Sequence, residues 1–143
     1  MTAAIKKSIR RPARIEHLEE IVDFVLATLR ENGIAERITS DLHLAVDEAC
    51  TNCCSYAYPA GRGGDVELTV RISPEEVAVI IRDWGEPFNP LKAAAPDLSL
   101  DLDDRPIGGL GIFLLKKFSD RVEYRREEGA NVLTIVKKIG NGE

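Results

Sequence analysis

The chain has 143 residues, enough for one domain with a core of adequate size. With 44% hydrophobic and 30% charged residues it reads as an ordinary globular protein, not a disordered or fibrous one. Its net charge of −5, from 24 acidic and 19 basic residues, argues against a general nucleic-acid binder, which needs clustered Lys and Arg.

No apolar run approaches the roughly 20 residues of a membrane span, and "MTAAIKKSIRR" lacks a signal-peptide core. The expected location is the cytoplasm, where the three cysteines stay reduced. The first ten residues form a weak strand, with Ile5 and Ile9 set among basic neighbours. In "PARIEHLEEIVDFVLATLRENG", Ile15, Leu18, Val22, Val25, Leu26 and Leu29 recur at helical spacing. Pro12 near the start and Asn32-Gly33 at the end punctuate this first helix. A second helix runs from about Ala35 to Ala57, with Ile38, Leu42, Val46 and Ala49 on its core face and Pro59 beyond its end. The loop "PAGRGG" follows.

Two strands come next. Val66, Leu68, Val70 and Ile72 alternate with polar residues, and "VAVIIRD" (77–83) is apolar on both faces, as a central strand would be. Residues 84–107 make a long connection rich in Pro and Asp, the kind that serves as a functional lid. A helix begins near Gly109 and includes Ile112, Leu115 and Phe118. The chain closes with a hairpin, "RVEYRREEGANVLTIVKK", turning at Glu-Gly. The order β-α-α-β-β-loop-α-β-β predicts an α+β two-layer sandwich, with helices on one face of a mixed, mostly antiparallel sheet.

The second helix holds "DEACTNCCSYAY", which contains every cysteine of the chain. At about 100° per residue, Glu48 and Asn52 lie on one side, with Ser55 near them. Cys53 falls with the core residues and Cys50 at their edge, so the thiols are expected to pack, away from the polar pair. A zinc site is disfavoured because His43 stands two helical turns from Cys50 and His17 lies on the other helix. By itself the Glu48/Asn52 spacing reads equally as a solvated pair.

Two further motifs follow. "RDWGEPFNP" (82–90) places Asp83 at a strand end, two residues before Gly85, where a carboxylate can accept from an exocyclic amine. "RPIGGLGIFLLKKF" (105–118) puts Gly108, Gly109 and Gly111 at the mouth of a helix, where backbone N–H groups suit phosphates. Each alone has an ordinary alternative, a turn or a linker.

Taken in order, "DEACTNCCSYAYP", "DWGEPFNP" and "GGLGIFLLKKFSDRVEYRREEGANVLT" resemble the GHKL (Bergerat) ATP-binding fold of gyrase, Hsp90, histidine kinases and MutL. Within it they resemble most the anti-sigma factor serine/threonine kinases of the RsbW/SpoIIAB type, over nearly the whole chain. The resemblance implies a single domain over 1–143 with an ATP lid at 86–107, and ATP and Mg2+ as cofactors. It implies Glu48 as general base and Asn52 as Mg2+ ligand. Asp83 and Gly85 would serve at the adenine, Gly109, Leu110 and Gly111 at the phosphates, and Thr134 as support for the adenine through water. It further implies a sigma factor and a STAS-domain anti-anti-sigma protein as partners, a homodimer, and no direct role for nucleic acid or membrane. The chain departs from the branch at Tyr56, where His is common, and in lacking the second glycine after Gly85. A nucleotide-gated sequestering module and a detached histidine-kinase catalytic domain are the alternative readings.

Overall fold

Strand β1 (Ile5–Pro12) opens a computed structural model that describes residues 4–58, 63–89 and 115–139. A 3-10 turn (Ile15–His17) leads into helix α1 (Leu18–Glu31), and helix α2 (Glu36–Tyr56) follows. Strands β2 (Asp65–Ile72) and β3 (Glu76–Asp83) precede the final hairpin of β4 (Arg121–Glu127) and β5 (Ala130–Lys138). The sheet order is β1-β2-β3-β5-β4, and every described pairing is antiparallel. Strand β3 is therefore central, as its two apolar faces demand.

The alternation of each strand assigns its faces. Val66, Leu68 and Val70 of β2 and Val77, Val79 and Ile81 of β3 are buried, and they pack with α1 and α2 in one core. On α1 the buried stripe is Ile21, Val22, Val25, Leu26 and Leu29; on α2 it includes Ile38, Leu42, Val46 and Ala49. The far face of the sheet carries Ser8, Arg10, Glu67, Thr69, Arg82 and Glu123. Ser8 and Thr69 share a hydroxyl hydrogen bond of 2.8 Å there.

Strand β1 alternates poorly in sequence for a definite reason. Lys7 and Arg11 share the helix-facing side with Ile5 and Ile9, and they reach Glu31 (3.7 Å) and Glu20 (2.9 Å) on α1. Pro12 ends this edge strand, where a missing N–H is tolerated, and does not start the helix. Ile15 accordingly lies outside α1 and is 55% exposed. The hairpin turn places Glu128 (φ 50°) and Gly129 (φ 79°) in the left-handed region, the twist that two-residue hairpin loops favour. Of the helix expected near Gly109, residues 115–117 are described as helical, and the part before Leu115 lies outside the described residues.

Leu42 is fully buried at the middle of α2. Leu42→Ala is expected to destabilise the fold by about 2–5 kcal/mol, through lost transfer energy and the cavity left behind. Urea unfolding with an unchanged m-value measures it.

Candidate functional site

The C-terminal half of α2 extends over the ends of β3 and β5, and a cavity lies between them. Ala49, Asn52 and Cys53 line it from α2 and Ala57 from the helix cap, Ile81 and Asp83 from β3, and Asn131 and Leu133 from β5. Tyr124, Phe88 and Leu115 complete its wall. A largely apolar wall with a few convergent polar groups is the usual character of a small-molecule site.

Asp83 is its chemical centre. The side chain is 5% exposed and accepts three hydrogen bonds. Oδ1 takes the Gly85 N–H (3.0 Å) and the Asn131 Nδ2 (2.9 Å), while Oδ2 takes the Cys53 thiol (3.3 Å). Burial first, then the Asp83 carboxylate, pushes the Cys53 thiol well above its usual range, so the sulfur keeps its proton and donates. A carboxylate offers about four lone-pair positions. One acceptor position on Oδ2 is left for a donor in the cavity, as an exocyclic amine would be.

The turn after β3 is fixed from several sides. Glu86 N–H donates to the Ala57 carbonyl (2.9 Å), and Arg126 Nη1 donates to the Gly85 carbonyl (2.9 Å). Trp84 N–H donates to Tyr58 Oη (2.9 Å), whose own proton goes to the Asp65 carbonyl (2.6 Å).

Asn52 lines the cavity, and its carboxamide makes no hydrogen bond to other described residues. Glu48 stands one helical turn earlier, half-buried, without an ion pair among the described residues. Burial, with Asp47 beside it, raises the Glu48 carboxyl above its ordinary range. The donor set suits Mg2+: Asn52 supplies a hard oxygen, and no cluster of three His, Cys, Asp or Glu among the described residues forms an all-protein cage. Magnesium ordinarily takes one or two protein oxygens and completes its shell with phosphate and water.

Thr134 departs from expectation. It pairs with Ile80 and Glu123 on the far face of the sheet, the side opposite Asp83, so it cannot support a ligand held by that carboxylate. Asn131, three residues earlier and in register with Asp83, occupies that place. Of the cysteines, Cys50 takes the expected packing role and Cys53 departs from it in part. Cys50 is fully buried in the core, but Cys53 lines the same cavity as Asn52. All three thiols are free, and burial raises each of them. Gly109, Leu110 and Gly111 lie outside the described residues.

Comparison with known proteins agrees with this geometry. Residues 11–137 match the histidine kinase-like ATPase domain family. The serine/threonine-protein kinase BtrW of Bordetella bronchiseptica is 36% identical over 99 residues, covering 69% of this chain and 70% of the relative. The serine-protein kinase RsbW of Bacillus subtilis is 31% identical over 135 residues, covering 87% and 81%. Among solved structures, that of the RsbU and RsbW domains of Rv1364c from Mycobacterium tuberculosis superposes with a TM-score of 0.63 at 14% identity. It covers 93% of this chain, which spans about a third (32%) of that longer one, and the likeness is one of fold. The chain belongs to the histidine kinase-like ATPase family, in the branch of the serine-protein kinases RsbW and BtrW.

Proposed function

We propose that this protein is an ATP/Mg2+-dependent serine/threonine protein kinase that acts as an anti-sigma factor. It binds a sigma factor and phosphorylates a STAS-domain anti-anti-sigma partner. The observation that carries the reading is one buried carboxylate, Asp83, with an acceptor position open to an apolar cavity, beside Glu48 and Asn52, which have no side-chain partner among the described residues. Asp83 accepts from the adenine amine, and Ile81, Leu133 and Phe88 enclose the ring. Asn52 holds Mg2+ through its carboxamide oxygen. When bound, the ion neutralises charge on the phosphates of ATP. Glu48 accepts the proton of the acceptor serine, a task for which its raised pKa makes it a stronger base.

Residues 86–107 act as the ATP lid within one domain spanning 1–143, with Gly109, Leu110 and Gly111 at the phosphates. The protein works in the cytoplasm as a homodimer; no helix among the described residues is long and apolar enough to cross a membrane. Incubation with radiolabelled ATP and candidate STAS proteins tests the reading. Transfer to a serine of one cognate partner is expected. ATP binding without transfer to any of them removes the kinase assignment and leaves a nucleotide-gated sequestering module.

A further inference from the structure

Asn131 is 6% exposed, and its carboxamide is fully engaged. Nδ2 donates to Asp83 Oδ1 (2.9 Å) and to the Glu86 carbonyl (2.7 Å). Oδ1 accepts from the Phe88 N–H (3.2 Å) and from Tyr124 Oη (2.5 Å). These partners fix the orientation of the amide. Reversed, its oxygen would oppose a carboxylate and a carbonyl, and its NH2 would oppose the Phe88 N–H.

We propose that Asn131 is a positioning residue that couples base recognition at Asp83 to the backbone leaving β3. The proposal rests on the reading of this cavity as an ATP site. One rigid planar group holds both the carboxylate and the chain at residues 86 and 88. Donation from a base to the open position on Asp83 Oδ2 pulls on the same carboxylate that Asn131 restrains, and the displacement passes through the amide to Glu86 and Phe88. Without Asn131, Asp83 keeps the Gly85 and Cys53 donors but loses its lateral restraint, and the Glu86 carbonyl and Phe88 N–H lose their partners.

ATP and inosine triphosphate isolate this role, because inosine carries a carbonyl acceptor where adenine has its amine, so the exocyclic donor to Asp83 is lost. Trp84 is the chain's one tryptophan and adjoins Asp83, so its emission reports on this segment. The wild-type chain should bind ATP more tightly than inosine triphosphate and change its Trp84 emission with ATP. In Asn131→Ala, ATP affinity should fall about tenfold, inosine triphosphate affinity should hold, and the emission response should disappear. Tyr124→Phe removes just one donor to the Asn131 oxygen and should lower the ATP preference in the same direction by about threefold. It also decides the matter if Asn131→Ala does not fold. An ATP preference and an emission response that both survive in the folded variants overturn the proposal. A wild-type chain that binds neither nucleotide overturns the ATP-site reading and the proposal with it.

Discussion

Glu48→Gln is expected to lower phosphate transfer by about 10^2- to 10^4-fold, the usual contribution of a positioned general base, while ATP still binds. The substitution is nearly isosteric, and Glu48 stands a turn away from the cavity-lining Asn52 without lining the cavity itself. Its stability effect should run the other way. Burial, with Asp47 adding to it, raises the folded-state pKa of Glu48 above 4.5. Between those two values the folded chain binds more protons than the unfolded chain, so stability falls as pH rises through the window. Above the window the ionised carboxylate remains a constant disadvantage, which Gln removes. The variant should therefore melt slightly higher than wild type at pH 8, and the difference should vanish near pH 4. Wild-type transfer should rise with pH through the folded pKa of Glu48, as the base loses its proton. Transfer assays and thermal melts across pH measure both. Undiminished transfer in Glu48→Gln would remove Glu48 as the base. Full regulation of a sigma factor without transfer would favour sequestration over chemistry.

Most of the sandwich was legible in the chain because its helices and central strand carry unambiguous periods. Leu42, Val46 and Ala49 mark the face of α2 that packs on the sheet, and "VAVIIRD" announces a central strand by its apolar residues on both faces. Strand β1 was harder to read, since Lys7 and Arg11 occupy inward-facing positions and are satisfied by Glu31 and Glu20 of α1. Those partners are fixed by tertiary packing, which periodicity does not report.

The cavity was legible in part, and its misreadings share a cause. The helical wheel assigned Cys53 to the sector of Ala49, correctly, and took that sector to be core. Ala49, Cys53 and Ala57 form one row, but the last turns of α2 pass the end of the packed sheet, so the same sector faces the cavity there. Azimuth was visible in the sequence; height along the helix was not. Thr134 is the adenine support that the family resemblance implies on the last strand, yet strand alternation sets it opposite Asp83. Asn131 carried a usable signal, the one amide of β5, just after the hairpin turn. Recognising its role required the pairing of β5 with β3, which are not neighbours in sequence.

Gly85→Ala is expected to weaken both the fold and nucleotide binding, for reasons of space and not of backbone angle. A Cβ at Gly85 would lie 1.9 Å from the Ala57 carbonyl oxygen and 2.5 Å from its carbon. These are backbone atoms at the end of α2, and no side-chain rotation can relieve the contact. The turn must move, and three bonds move with it: Gly85 N–H to Asp83, Glu86 N–H to the Ala57 carbonyl and Arg126 to the Gly85 carbonyl. Overpacking of this kind costs about 1–3 kcal/mol. ATP affinity should drop about tenfold, because Asp83 loses the donor that orients it. Gly129→Ala is the contrasting case. Its Cβ would meet nothing within 4 Å, but its φ of 79° strains an L-residue, so it should lower the melting temperature and leave ATP affinity unchanged. The double variant Ala57→Gly/Gly85→Ala separates the possible obstacles. It removes the Ala57 Cβ, at 3.0 Å, and leaves the carbonyl in place. No recovery of stability or affinity is expected. Recovery would show that the Ala57 methyl, not the carbonyl closing α2, is what requires glycine at position 85.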